Sequence, residues 1–174
     1  MVEIETSPGL LWTAVYTRPR TEKVVADYCA RHDIQSYLPL RRRAERYQRR
    51  TVETFLPMFP GYVFVQLGDA SKVVLLQSHK IVHVLQVTVA KEPTLITELR
   101  DLQLLEQAGL QGELMVHPEL APGTPVLICA GPLKGLTGVV ERRQQKLRVT
   151  VNVELLGQSV SVDLDVGEVE VAEE

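Results

Sequence analysis

The chain has 174 residues, 45% of them hydrophobic and 24% charged, and a formal net charge of −3 at pH 7, an ordinary globular composition with room for one medium domain or two small ones. Its two cysteines, Cys29 and Cys129, are too few for a disulfide framework and too far apart for CxxC metal spacing, so buried thiols in a reducing cytoplasm are expected. No apolar run approaches the ~20 residues that span a bilayer, and Met1 to Gly9, which carry Glu3 and Glu5, lack the apolar core of a signal peptide. The expectation is a soluble, cytoplasmic chain with no membrane partner, opening on a flexible segment at 1–9.

LLWTAVYT (10–17) reads as a strand, and RPR opens a turn after it. Val24, Val25, Tyr28 and Cys29 then fall at helical spacing behind Thr21, a residue type that favours the N-cap. SYLPL (36–40) is a short strand, and six arginines crowd residues 41–50. Residues 12–50 hold ten Lys or Arg against four Asp or Glu, whereas 111–174 hold five against ten. One basic stretch in an acidic chain points to a local anionic contact, not to general coating of nucleic acid.

TVETFLPMFPGYVFVQL (51–67) supplies two strand-like pieces. In the second, VFVQL suits a pleat, while Pro60 stands at the entry, where a missing backbone N–H does least harm. Phe59 and Tyr62 flank the bend that Pro60 and Gly61 impose. DASKVVLLQSHK (69–80) reads as a short helix and IVHVLQVTV (81–89) as a strand. TLITELRDLQLLEQA (94–108) is an amphipathic helix with Leu95, Leu99, Leu102 and Leu105 on one stripe. Interleaved strands and helices predict an α/β sandwich of one sheet and a layer of helices.

AGLQGELMVHPELAPGTP (108–125) holds three glycines and three prolines without a sustained period and reads as a linker. It divides a domain at 10–108 from a second at 121–174, with 109–120 between them. All nine aromatic residues lie before residue 65, so the two halves are built differently. PVLICA, LTGVVERR, KLRVTVNVELL, QSVSVDL and EVEVA are short β-branched runs separated by glycines, the pattern of a small closed β-barrel. Period-two valines, with Gly131, Gly135 and Gly138 inside eight residues, weigh against any helical form of this region.

In LLWTAVYTRPRTEKV, FPGYVFV and GPLKGLTGVVE, in that order and at similar separations, the chain resembles the NusG family of bacterial transcription factors over nearly its whole length. The last stretch is similar to the KOW element, whose glycines shape a barrel turn. RPRTE and YLPL resemble the specialised RfaH-like branch more than the housekeeping factor. The resemblance implies an α+β two-domain protein. Its N-terminal α/β sandwich would be an antiparallel sheet with flanking helices, and its C-terminal KOW domain a small SH3-like β-barrel.

The resemblance also implies a transcription elongation regulator that binds the clamp helices of RNA polymerase, suppresses pausing and promotes processive elongation or antitermination. Its docking residues would be Trp12, Phe59, Pro60, Gly61 and Tyr62, and aromatic anchors of this kind dominate interface energies. Arg18, Arg20 and Lys23 would meet the non-template DNA strand, by stacking on bases or pairing with phosphates. Leu133, Leu136 and Leu156 would form an exposed apolar patch through which the KOW domain tethers a small-subunit ribosomal protein or Rho. The protein would act as a monomer without a cofactor. Lys72, Val73 and Val74 stand where the RfaH-like branch carries a polar motif at the start of its second helix, a departure from that branch's pattern for the second contact.

Catalysis finds no support in the residues. His32, His79, His83 and His117 are scattered without an acidic companion at metal spacing, and no Ser or Cys sits in a nucleophile elbow. GPLKGLTG lacks the GK[ST] and the following helix of a phosphate loop. The pattern is that of a binding protein. An RNA-binding accessory protein of the ribosome, using the KOW barrel and Arg41 to Arg50 by counterion release, is the alternative.

Overall fold

The computed structural model describes residues 2–47, 50–108, 115–118, 124–127, 136–143, 146–165 and 170–171. They fall into two compact units, Met1–Leu40 with Pro57–Thr97, and Arg41–Leu56 with Glu98–Glu174. In chain order the first elements are β1 (Leu11–Thr17), α1 (Glu22–Arg31), β2 (Ser36–Tyr37), β3 (Leu40–Tyr47) and β4 (Arg50–Pro57). Then come β5 (Tyr62–Leu67), α2 (Asp69–Leu76), β6 (Ile81–Val84) and α3 (Glu92–Ala108).

The first unit is built on a four-stranded antiparallel sheet of order β2-β5-β1-β6. Its middle strands, β1 and β5, are mostly apolar because both of their faces are covered except at the Tyr16 and Tyr62 end. Antiparallel register sets Val15 opposite Val63 and Thr13 opposite Val65, and period two sends these residues to one face. There Val15, Val63 and Val65 close a core with Val25 and Cys29 of α1 and Leu75 of α2. Burial pushes the Cys29 thiol up to about 11, opposed in smaller measure by a hydrogen bond with Ser36. Cys29 therefore packs as a small hydrophobe and is not a reactive thiolate. Cys129 lies outside the described residues.

The opposite face carries three cross-strand pairs, Trp12 with Gln66, Ala14 with Phe64, and Tyr16 with Tyr62. Trp12 and Gln66 are buried, and their polar atoms need partners that the strands do not supply. The start of the chain supplies them. Trp12 Nε1 and Gln66 Nε2 both donate to the Glu5 carbonyl, at 2.9 and 2.7 Å. Ser7 Oγ donates to Gln66 Oε1 at 3.3 Å, and Ile4 is buried. Residues 2–9, which the sequence suggests are a flexible segment, thus seal one end of this face. β6 pairs with β1 only from Val15 onward, so the Trp12 N–H turns instead to the buried carboxylate of Glu92, at 2.9 Å.

Several elements differ from the sequence reading. Thr21 precedes α1, but its hydroxyl donates backward to the Arg18 carbonyl at 2.8 Å and makes no side-chain cap. SYLPL is not one strand: it holds the two residues of β2 and, at Leu40, the start of β3, and between them the Pro39 carbonyl accepts Met58 N–H at 2.8 Å. The arginine run falls largely in β3, which pairs with β4 as a two-stranded ribbon. Arg42 and Glu53 bridge that ribbon at 3.2 Å, an exposed pair that contributes less than about 1 kcal/mol. α3 matches its pattern, with Leu95, Leu99, Leu102 and Leu105 all buried.

The second unit contains β7 (Met115–Pro118), β8 (Thr124–Leu127), β9 (Thr137–Arg143), β10 (Lys146–Val153), β11 (Gln158–Asp165) and β12 (Glu170–Val171). They form one antiparallel sheet of order β12-β8-β9-β10-β11-β7. Val151, Val153, Val160 and Val162 are buried, as period-two valines predict. β10 and β11 are joined by a 3-10 turn, Glu154–Leu156, and Gly157 at φ +59°. The Glu154 N–H is accepted by Glu98 of α3 at 3.0 Å. β7 lies inside the stretch read as a linker. Its alternating Met115 and His117, Val116 and Pro118 pair with β11, and Pro118 is tolerable at the end of a strand with only one neighbour.

Candidate partner-docking surface

The bend at Phe59–Tyr62 is a tight turn closed by Tyr62 N–H donating to the Phe59 carbonyl at 3.1 Å. Proline stands at its second position, and Gly61, at φ +88°, occupies its third, the residue pattern of a type II turn. The outward groups of Gly61 are both held. Its carbonyl accepts Thr17 N–H at 2.7 Å, and its own N–H donates to the buried Glu22 carboxylate at 2.7 Å. A Cβ on Gly61 would stand 2.6 Å from Tyr16 Cε2. The Tyr16 ring therefore lies directly against the turn backbone.

Tyr16 and Tyr62, cross-strand partners, bring their ring centroids to 5.1 Å with a tilt of 50°. Tyr16 is 39% exposed, Tyr62 is half-buried and Pro60 is exposed. Phe59 is buried and meets Phe64 edge-on at 6.2 Å. The outcome is an open aromatic end on this face, with the buried Phe64, paired to Phe59, next along it. Tilted aromatic pairs presenting one free side are suited to taking an apolar partner side chain.

Of the five residues expected at the docking site, the structure brings together Phe59, Pro60, Gly61 and Tyr62. Trp12 shares their face of the sheet but stands four residues along β1 from Tyr16, about 14 Å away at strand rise. Trp12 and Phe59 are both fully buried and present no surface to a partner. The sequence reading missed Tyr16 and Glu22. Period two from Trp12 would have found Tyr16, since both lie on one face of β1. Nothing local marks Glu22, whose partner lies 39 residues away.

The family model for NusG, described as transcription termination factor, matches residues 10–103, more than half of the chain. The chain belongs to the NusG family. NusG-family proteins are transcription factors and not enzymes. The structure of NusG from Thermotoga maritima is similar at 22% identity, covering 94% of this chain and 98% of that one with a TM-score of 0.51, and shows the shared fold. A chain of the MjSpt4:Spt5 complex aligns at 18% identity over 94% of this chain and 98% of that one, with a TM-score of 0.31. No curated protein matches the chain at a significant level.

In this NusG-family protein the basic residues expected to meet DNA lie at a turn that neighbours a second one. Arg18, Arg20 and Lys23 are exposed at the turn and first helical residues after β1. Arg18 N–H donates to the Lys80 carbonyl at 2.8 Å, which brings the turn before β6 alongside. Arg20 and His79, one in each turn, take left-handed backbone at φ 62° and 54°. Lys80, in the second turn, thus lies alongside the basic residues 18–23 that the sequence reading took alone. Lys72 and Val73 of α2 are exposed and Val74 is half-buried.

The apolar patch expected on the second unit is smaller than the sequence suggests. Leu136, expected to be exposed, is fully buried at the entry to β9; an apolar side chain that completes packing leaves no surface for a partner. Leu156, in the 3-10 turn, is half-buried, and Leu133 lies outside the described residues. Among the described residues no group of three or more His, Cys, Asp or Glu could hold a metal ion. No described helix is long and apolar enough to cross a membrane.

Proposed function

We propose that this NusG-family protein regulates transcription elongation by docking on the clamp helices of RNA polymerase, through Tyr62 and Pro60 together with Tyr16. The observation that carries the reading is the open aromatic end of the sheet, held by a turn whose Gly61 N–H and carbonyl are both bonded. Docking there suppresses pausing and favours processive elongation or antitermination, in the manner of the specialised branch. The cationic edge of Arg18, Arg20 and Lys23, with Lys80, faces the non-template DNA strand, where guanidinium stacking and phosphate pairing serve.

The functional division places docking within 10–108 and tethering within 121–174. For the tether, a KOW barrel is supported by the pairing of β12 with β8, which returns the last strand to the first of the five expected there. Leu156 and Leu133 are its candidate contacts with a small-subunit ribosomal protein or Rho.

Tyr62→Ala tests the docking reading. Loss of a central anchor is expected to weaken binding to purified RNA polymerase by about 2 kcal/mol, with the far-ultraviolet circular dichroism unchanged. Unaltered affinity in a folded variant would remove the tyrosine pair from the interface. Capture of ribosomes in place of polymerase from the same extract would favour the ribosomal alternative.

A further inference from the structure

Glu22 is a charged residue in a buried place, where a carboxylate is costly unless it accepts hydrogen bonds. Its hydrogen-bond partner here is the Gly61 N–H, at 2.7 Å. In a type II turn the central peptide, between the second and third residues, turns its N–H away from the closing hydrogen bond. That donor is therefore the one the turn itself leaves unsatisfied. Gly61 is buried, so water does not take the role, and a carboxylate delivered by the first turn of α1 fills it. The same peptide plane sets the direction of Pro60 on one side and of Tyr62 on the other.

We propose that Glu22 is a positioning residue for polymerase docking: its carboxylate selects the peptide orientation at Pro60–Gly61 and so fixes Tyr62 against Tyr16. The inference rests on the docking function proposed above and adds the residue that orders its surface. Without the acceptor, the central peptide is free to turn over. Tyr62 then leaves its 5.1 Å pairing with Tyr16, and the partner meets a disordered aromatic end.

Three variants of the full chain separate the roles of Glu22. Glu22→Met keeps the length and removes the acceptor; Glu22→Gln loses the charge equally but keeps a carbonyl acceptor. Glu22→Asp keeps charge and acceptor but withdraws them by one methylene, and serves if the Met variant does not fold. Binding to purified RNA polymerase is expected to weaken about tenfold or more for the Met and Asp variants and to stay within about threefold for Gln. The Gly61 amide, followed by NMR, should lose its downfield shift and exchange protection in the first two and keep both in the third.

A merely structural role would track the melting temperature and would not sort variants by acceptor. Parent-like binding by a folded Met or Asp variant overturns the proposal. So does binding by the Gln variant as weak as that of the other two. If Tyr62→Ala weakens binding while these variants do not, Glu22 alone falls. If Tyr62→Ala binds like the parent, the docking reading fails and this proposal fails with it.

Discussion

Gly61 answers two demands with one missing side chain. Its φ of +88° is a conformation L side chains avoid, and its would-be Cβ meets the Tyr16 ring at 2.6 Å. Gly61→Ala is expected to cost about 1–3 kcal/mol and to lower the urea midpoint; a variant as stable as the parent would deny the turn. Asp101 of α3 is a second residue with a measurable signature. Burial pushes its carboxyl from 3.8 to about 6, so the folded state holds its proton more tightly than the unfolded state does. Stability is then unaffected below the unfolded pKa, falls as pH rises from there to about 6, and is level above. The side chain keeps part of its surface in water, which reduces the penalty to roughly 1 kcal/mol. Asp101→Asn should therefore raise the melting temperature near neutral pH and leave it unchanged below about pH 4. An equal rise at both pH values would show that the charge is not the cause.

At the scale of elements, the sealing of the sheet by residues 2–9 has its own reporter. Trp12 is the sole tryptophan and is fully buried, with its Nε1 bonded to Glu5. Deleting residues 1–9 is expected to shift its emission to the red and to cost about 2 kcal/mol or more, since two buried donors lose their acceptor. An unshifted emission maximum would mean the segment does not cover the indole. The middle strands and α3 were legible because local period decides them: β1, β5 and α3 each declare most of their buried residues within a few positions. In α1 the same spacing picked Val25 and Cys29 correctly but also Val24, which is exposed. The segment 2–9 was not legible, because its place is set by Gln66, 61 residues from Glu5. Glu22 was hidden for the same reason. Thr21 misled because a hydroxyl at a helix start can bond backward as readily as forward.

For the whole molecule, β7 is the instructive departure. Gly and Pro density marks 108–125 as a linker, yet four residues inside it find a neighbour in β11, and pairing with a distant strand leaves no trace in composition. A fragment spanning 113–174 retains β7 to β12 and should give a β-type circular dichroism spectrum, contained additively in that of the full chain. A fragment beginning at Thr124 uncovers the β11 edge and should self-associate more readily, as unpaired edges do; sedimentation of the two fragments compares them directly, and equal behaviour would mean β7 does not guard that edge. Placement of the exposed apolar patch was the least legible feature. Leucine at 136 reads the same whether it fills a core or faces a partner, and only the packed structure distinguishes the two.

The interleaving of the two units along the chain also sets a timetable for synthesis. Arg41–Leu56 leaves the ribosome ahead of Pro57–Thr97, although its own unit is completed only by Glu98–Glu174. β1 must wait for β5 and β6 before its sheet can close, so the arginine-rich ribbon is already outside, with nothing of its unit to pack on, while the first unit assembles. Vectorial folding then runs in a fixed order, first unit before second, and each newborn chain spends that interval with its most cationic segment unaccompanied.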